Sequence, residues 1–188
     1  DILMILDGKI ASEKYIEDIK LQIEKYKENG HKFKLAVIQT VVDDASLSYL
    51  KGRIKMCEKV GVELDHYDYS NKEKEEVISL LEKLNLDETI DGIMVDRPFP
   101  KGWDEMEIYS HLNHKKDVDG CTIFNAGLLF QNKECFVPST AKAVIELLDF
   151  YKIDVEGKNV VVVGRSKTVG APVAQLLTNK NATVTVCH

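Results

Sequence analysis

The end of the chain carries the pattern that most limits the possible folds. The apolar, β-branched run Asn159–Val163 leads into a loop between two glycines, Gly164–Gly170, and then into the helical pattern Ala171–Leu177. A parallel strand that ends in a glycine loop before a helix N-terminus is how α/β proteins hold phosphate. The pattern therefore predicts a nucleotide site. Because five residues separate the glycines, the loop is not G-x-G-x-x-G, and a βα turn whose glycines only allow close packing is the alternative.

The rest of the chain alternates between helical and strand patterns. The spacing of its apolar residues predicts the following segments: a helix through Ile16, Ile19, Ile23 and Tyr26, strands at Lys34–Gln39, Val62–Tyr67 and Gly92–Val95, and helices over residues 46–59, through Val77, Leu81 and Leu84, and over 104–112. Such alternation indicates βαβ units and a parallel sheet, so the fold class is α/β.

A second lobe is predicted to follow a linker helix. Ser139 and Thr140 are expected to cap this helix, whose apolar side would carry Val144, Leu147, Leu148 and Tyr151. The second lobe would begin near Val155 and end with the strand Ala182–Cys187. Two parallel strands cannot bury both of their faces, so we expect uncovered apolar strand surface here and a chain that is a piece of a longer protein.

Composition excludes several classes of partner. The net charge is -6, with lysines and arginines scattered along the chain, which argues against nucleic acid. The four cysteines form no C-x-x-C pair and no signal segment is evident, which favours free thiols in the cytoplasm. The apolar runs are too short for a membrane span, and the histidines lack metal-ligand spacing. We predict no membrane, nucleic-acid or metal partner.

Four segments, taken together, point to one family. They are Ser48–Gly61, Asp91–Pro100, Lys116–Gly120 with Asn125–Gly127, and Val163–Pro172 with Asn181–His188. In order and spacing they resemble the methylenetetrahydrofolate dehydrogenase/methenyltetrahydrofolate cyclohydrolase family across essentially the whole chain. The resemblance implies a two-lobed homodimer subunit, with a parallel-sheet folate lobe at residues 1–150 and an incomplete Rossmann-like NADP lobe at 151–188. The family's chain continues for roughly another hundred residues, about one domain.

Helix phase places two of the resembling residues together. Tyr49 and Arg53 lie one turn apart on one face, whereas Lys55 points with Lys51 and Lys59 toward solvent. By the resemblance, the tyrosine stacks on the aminobenzoyl ring of folate, and a lysine at the position of Arg53 catalyses the cyclohydrolase step. This chain therefore departs from the family at a catalytic position.

A second departure lies at the end of a strand. The family motif V-Q-L-P-L-P corresponds to Val95–Pro100, so Asp96 replaces the glutamine, and the resemblance makes Val95 and Pro98 substrate contacts. We expect Asp96 to form an ion pair with Arg53; two unconnected surface charges are the alternative. Because a guanidinium does not give up its proton, Arg53 and Asp96 argue against the family's hydrolytic activity.

The remaining candidate residues match the family without change. By the resemblance, Asp119 joins Arg53 and Asp96 in the catalytic site and binds the pterin. The alternative is that Asp119 only orders the glycine turn through hydrogen bonds to the backbone. For Asp117, this structural role is the better interpretation. Arg165 would bind the 2′-phosphate of NADP, with NAD also possible, or be a solvated loop charge. The other candidate cofactor contacts are Gly164, Ser166, Val169 and Gly170.

The resemblance implies an NADP-dependent oxidation of a tetrahydrofolate derivative, 5,10-methylenetetrahydrofolate, to the methenyl form. This step needs alignment of two bound molecules rather than a general base. Two alternatives stay open. One is a homologue that binds folate or nucleotide without turnover, and the other is an oxidoreductase of this architecture with a non-folate substrate.

Overall fold

The computed structural model describes residues 5–188, in which helices and strands alternate as the sequence predicts. The elements are α1 (Gly8–Glu28), β1 (Lys34–Gln39), α2 (Asp44–Val60), β2 (Glu63–Asp68), α3 (Lys74–Leu86), β3 (Gly92–Asp96), α4 (Glu105–Ser110), α5 (Ile123–Phe130), α6 (Ser139–Phe150), β4 (Asn159–Val163), α7 (Gly170–Asn179) and β5 (Thr183–Cys187). Within these residues no helix is both long enough and apolar enough to cross a membrane.

The first compact unit, Ile16–Val118, is built on a three-stranded parallel sheet in the order β2-β1-β3. The central strand is the most deeply buried, because Ala36, Val37, Ile38 and Gln39 have no exposed surface. Three of these residues are apolar, as expected for a strand covered on both faces. The predicted parallel sheet of at least three strands is confirmed.

Local signals fix the ends of α2. Asp43 accepts a hydrogen bond from the backbone N–H of Ser46, and the Ser46 hydroxyl accepts one from the backbone N–H of Asp43, which is a capping box. The helix ends at Gly61, whose φ of 86° places it in the left-handed region. Leu50 and Cys57 point into the core. The buried face of α2 therefore passes through Leu50 and Cys57.

Of the residues that the structure describes, the second unit comprises 5–15 together with Asp119–His188. Its two strands, β4 and β5, are parallel, and its core contains Ala141, Ile145, Val155, Val173 and Leu177. Three strand valines stay exposed, at 61%, 85% and 47% of their surface for Val161, Val163 and Val186. The prediction of uncovered apolar strand surface is confirmed at these positions.

Two predictions about the helices of this unit need correction. The N-cap position of α6 is Pro138, with no side-chain cap bond, so the predicted cap by Ser139 and Thr140 is wrong because both residues already lie in the first turn. The deeply buried face of α6 passes through Ala141 and Ile145, whereas 38% of Val144 is exposed. The small residue Ala141 belongs to the core, which the apolar spacing alone did not reveal.

The sequence pattern also missed α5. Ile123, Phe124 and Phe130 are all largely exposed, so the helix shows no simple apolar stripe. Its beginning is nevertheless marked, because the Thr122 hydroxyl accepts a hydrogen bond from the backbone N–H of Asn125 at 3.3 Å.

Candidate functional site

Parallel register brings polar side chains to one edge of the three-stranded sheet. Gln39, the last residue of β1, pairs with Asp68 at the end of β2 and with Asp96 at the end of β3. Ligands of open parallel sheets bind beyond the carboxyl ends of the strands. The three strand ends therefore define the edge at which a site is expected.

Arg53 of α2 and Asp96 of β3 meet at this edge in an ion pair. Nη1 of Arg53 lies 3.0 Å from Oδ2 of Asp96, and the two side chains are only 13% and 14% exposed. The predicted ion pair is confirmed, and two unconnected surface charges are excluded. Partial burial makes this pair less screened by solvent than the other ion pairs of the described residues, which are all more exposed.

Tyr49 lies one helical turn before Arg53 and presents an exposed ring. The guanidinium carbon of Arg53 is 5.0 Å from the centre of the Tyr49 ring, within cation–π distance, and 69% of the tyrosine surface is exposed. An open groove of about 670 Å³ runs along this side of α2, lined by Ala45, Ser48, Tyr49, Gly52, Arg53 and Met56. Lys55 is exposed, as predicted. The groove is large enough for a flat aromatic ligand.

Gln39 is a site residue that the sequence reasoning missed. Its side chain is completely buried; Nε2 donates to Oδ2 of Asp96 at 3.1 Å, and Oε1 lies 2.9 Å from Nε2 of His66. The available signal was a polar residue at the end of an otherwise apolar strand. A polar residue at this position indicates a site only once the strand register shows which side chains lie beside it.

Main-chain carbonyls of the last part of β3 and of the segment after it accept side-chain hydrogen bonds. The carbonyl of Val95 accepts a hydrogen bond from the Tyr109 hydroxyl at 3.3 Å, and that of Pro98 accepts one from the Thr40 hydroxyl at 3.4 Å. The Val95 side chain is buried, whereas Pro98 is exposed. Of these two predicted substrate contacts, the Pro98 side chain is therefore the more accessible to a ligand.

Nearby titratable groups are tuned by burial and by hydrogen bonds. Burial raises the pKa of the Cys57 thiol, while the charge of Arg53 opposes this shift. Hydrogen bonds with Ser46, of which the one from its backbone N–H has the largest effect, hold the pKa of Asp43 below its ordinary value. Cys57 is therefore a neutral core residue at neutral pH rather than a nucleophile.

Asp119 belongs to the other compact unit and is half-buried. Cys121 places its sulfur 3.6 Å from both the carbonyl oxygen and Oδ2 of Asp119. The turn is tight: Gly120 has φ of 61°, and a Cβ there would lie 2.8 Å from the Phe136 carbonyl oxygen. Asp117 is only 1% exposed and forms a parallel bridge with Ile93, which fits the structural role expected of it.

The two ends of the glycine loop between β4 and α7 are in close backbone contact, and the loop forms internal hydrogen bonds. A Cβ on Gly170 would overlap the backbone of Gly164, so only glycine fits there, and Gly164 has φ of 119°. The hydroxyl of Ser166 accepts hydrogen bonds from the backbone N–H groups of Val169 and Gly170 at 3.2 and 3.3 Å. These two amides thus have a local acceptor that a phosphate would have to replace or share.

The donor set of this loop nevertheless fits a nucleotide phosphate. Arg165 is exposed and can present its guanidinium, and space beside Gly164 is open. The loop also precedes the N-terminus of α7, where backbone N–H groups and the helix dipole favour negative charge.

Comparison with known protein families finds matches for two segments of the chain. Residues 6–119 match the catalytic domain of tetrahydrofolate dehydrogenase/cyclohydrolase, and residues 138–188 match its NAD(P)-binding domain. The bifunctional protein FolD of Caldanaerobacter subterraneus is 44% identical over 98% of this chain, and that of Staphylococcus haemolyticus is 43% identical over 100% of this chain. The alignments cover 65% and 66% of those relatives, so the chain spans about two thirds of their length.

Solved structures agree. The bifunctional FolD enzyme of Campylobacter jejuni has a TM-score of 0.96 at 38% identity, covering 98% of this chain and 66% of that one. A Trypanosoma brucei methylenetetrahydrofolate dehydrogenase-cyclohydrolase, solved with NADP and an inhibitor, has a TM-score of 0.84 at 32% identity, covering 96% and 61%. The chain therefore belongs to the tetrahydrofolate dehydrogenase/cyclohydrolase family.

Proposed function

We propose that the protein oxidises 5,10-methylenetetrahydrofolate to 5,10-methenyltetrahydrofolate with NADP as hydride acceptor. One observation carries the proposal. In a chain of this family, Tyr49, Arg53 and Asp96 meet at the carboxyl edge of a parallel sheet, beside a groove with an exposed tyrosine ring. The relatives described as bifunctional dehydrogenase-cyclohydrolases support the same reaction class.

For this oxidation the protein must align the two bound molecules and provide a suitable electrostatic environment. A nitrogen lone pair of the substrate expels hydride from the methylene carbon, which leaves a cationic methenyl product. When bound, NADP supplies the acceptor for that hydride. Tyr49 would stack on the aminobenzoyl ring. The Arg53–Asp96 pair has no net charge, so Asp96 offsets a guanidinium that would otherwise repel the developing cation.

The same pair removes the usual means of hydrolysing the product. Attack of water on the methenyl carbon needs a group that can take and return a proton at neutral pH. A guanidinium stays protonated and cannot do this. Asp96 already accepts hydrogen bonds from Arg53 and Gln39 through Oδ2. We therefore propose a dehydrogenase with low cyclohydrolase activity.

Further assignments follow from membership of the family. Asp119 would bind the pterin, with Val95 and Pro98 also near the substrate. Arg165 and the loop residues Gly164, Ser166, Val169 and Gly170 would hold NADP. We propose that residues 1–150 serve as the folate-binding and catalytic domain and 151–188 as the first part of the nucleotide domain. A cytoplasmic homodimer is the corresponding assembly, and the four free cysteines are compatible with that compartment.

A hydride-tracing experiment tests the proposal. The full-length protein is mixed with NADP and 5,10-methylenetetrahydrofolate deuterated at the methylene carbon, and reduced nicotinamide is analysed by absorbance and mass spectrometry. We expect deuterium in the nicotinamide ring. Binding of both molecules without reduction would instead identify a non-catalytic homologue, and reduction by other substrates alone would identify a different oxidoreductase.

A further inference from the structure

The ion pair of the candidate site is attached to a buried amide. Gln39 is enclosed completely at the end of the central strand, and its side chain lies between Asp96 on one side and His66 on the other. In the parallel register Gln39 stands opposite Asp68, so His66, two residues earlier on β2, shares its face of the sheet. Four side chains thus form a continuous hydrogen-bonded chain: Arg53, Asp96, Gln39 and His66.

The acceptors around Gln39 determine the orientation of its amide. Nε2 faces the carboxylate of Asp96 at 3.1 Å and the backbone carbonyl of Ser46 at 3.5 Å, and neither group can donate. Oε1 must therefore face His66, and Nε2 of that histidine must carry the hydrogen of the 2.9 Å contact. The chain runs as His66 donating to Gln39 and Gln39 donating to Asp96, with Arg53 donating to the same carboxylate oxygen.

We propose that Gln39 is a positioning residue for the reaction, held by His66, which fixes the Asp96 carboxylate where it offsets the charge of Arg53. This inference rests on the proposed function. An amide has no acid–base capacity at neutral pH, so the chain transmits orientation and polarisation rather than a proton. Without the amide donor, Asp96 keeps only one of the two hydrogen bonds that fix Oδ2.

The positioning role predicts a selective effect on ligand affinity. The methenyl product is cationic at the reacting carbon, whereas tetrahydrofolate is neutral there. A displaced Asp96 therefore weakens binding of the cation and leaves the neutral ligand almost unchanged. If Gln39 had only a structural role, its replacement would weaken the binding of both ligands alike, or it would lower only the fraction of folded protein. The dissociation constant of the folded protein does not depend on that fraction.

The test compares dissociation constants of 5,10-methenyltetrahydrofolate and tetrahydrofolate for variants of the full-length protein. Gln39→Met, which keeps the volume and removes the donor, should weaken the methenyl compound about 10-fold or more and tetrahydrofolate less than about threefold. His66→Leu alters an exposed side chain and should weaken the methenyl compound in the same direction, by about threefold. In an Asp96→Asn background, Gln39→Met should have little further effect on the ratio.

His31→Asn is the matched control. This variant removes a histidine contact of 2.8 Å to Asp91, before β1, and should leave both dissociation constants unchanged. If the unaltered protein binds neither folate, the proposed function fails. If it binds both folates and neither Gln39→Met nor His66→Leu changes their ratio, the positioning role of Gln39 is wrong while the proposed function stands.

Discussion

Among the individual residues, Arg53 and Asp96 are the two on which the proposed proton chemistry depends. Their ion pair, with 3.0 Å between Nη1 and Oδ2, holds a guanidinium whose charge Asp96 offsets, and it provides no cation that releases a proton. Lysine can carry a charge and also release a proton, because an ammonium group loses its proton readily when its environment disfavours the charge. Arginine in place of the family's lysine therefore keeps a cation at this position but cannot transfer a proton.

Restoring the family's residue pair should restore hydrolysis. Arg53→Lys alone places an ammonium beside the Asp96 carboxylate, which holds it protonated, so we expect little gain. Arg53→Lys combined with Asp96→Gln removes that carboxylate and should raise cyclohydrolase kcat/KM at least 10-fold, more than the two single changes together. The measurement is methenyl hydrolysis above the buffer background. Additive single effects would show that the two side chains do not act as a unit.

Arg165 is the residue on which the choice of nucleotide should depend. It is exposed and follows Gly164 directly, at the end of β4. A charge-assisted contact to the extra phosphate implies that Arg165→Ala weakens NADP binding about 10- to 100-fold and NAD binding hardly at all. Titration calorimetry with both nucleotides measures this difference. Lys167→Ala, a neighbouring exposed loop charge, is the control, and equal losses for NADP and NAD would refute the assignment.

Sequence reasoning located Arg53 and Asp96 but not Gln39 or His66. The first pair was found because the family resemblance singled out both positions, and helix phase and strand direction then pointed to one edge of the sheet. The second pair depends on the register Gln39↔Asp68, which places His66 on the shared face. Register is set by pairing between distant segments, so the isolated pattern of each strand could not reveal the contact.

At the scale of elements, α2 matters most because it carries both Tyr49 and Arg53. Its limits were predicted within two residues, since a capping residue and a left-handed glycine mark its ends. By contrast, α6 begins at Ser139 without a side-chain cap, and α5 shows no simple apolar stripe. The sequence therefore predicts the limits of a helix best where a capping residue and a left-handed glycine mark both ends.

The cap of α2 makes a prediction about pH. Since the folded protein holds the pKa of Asp43 below the unfolded value of about 4, the charged cap stabilises α2 above that value. The stabilisation is lost as pH falls through the lower, folded pKa. Asp43→Ala should therefore reduce Tm at pH 7, and the difference from the unaltered protein should shrink as pH falls below the unfolded pKa of about 4 and through the lower, folded pKa.

Asp43→Asn serves as the control for this prediction, because it retains a cap acceptor without a titratable charge. Its Tm should stay close to that of the unaltered protein at neutral pH. Scanning calorimetry between acidic and neutral pH measures both variants. An Asp43→Ala deficit that stays constant across the acid range would contradict the assignment of the cap.

At the scale of the whole molecule, the alternation of helices and strands was sufficient to predict two parallel sheets. The three-stranded sheet of Ile16–Val118 and the β4–β5 pair both have the expected direction. Residues 5–15 share a compact unit with Asp119–His188, a grouping that the linear pattern did not suggest. It arises from contacts between distant segments, such as the hydrogen bond from the Tyr15 hydroxyl to the Glu146 carbonyl.

The most direct test of the account measures both family activities in one preparation of the full-length protein. Dehydrogenase activity is followed by reduction of NADP with 5,10-methylenetetrahydrofolate, and cyclohydrolase activity by loss of the methenyl compound above the buffer background. Because a hydrolysis that lacks its general acid–base loses about 100-fold or more in rate, we predict a cyclohydrolase kcat/KM far below that of the dehydrogenase. A cyclohydrolase as efficient as the dehydrogenase would contradict the role assigned to the Arg53–Asp96 pair.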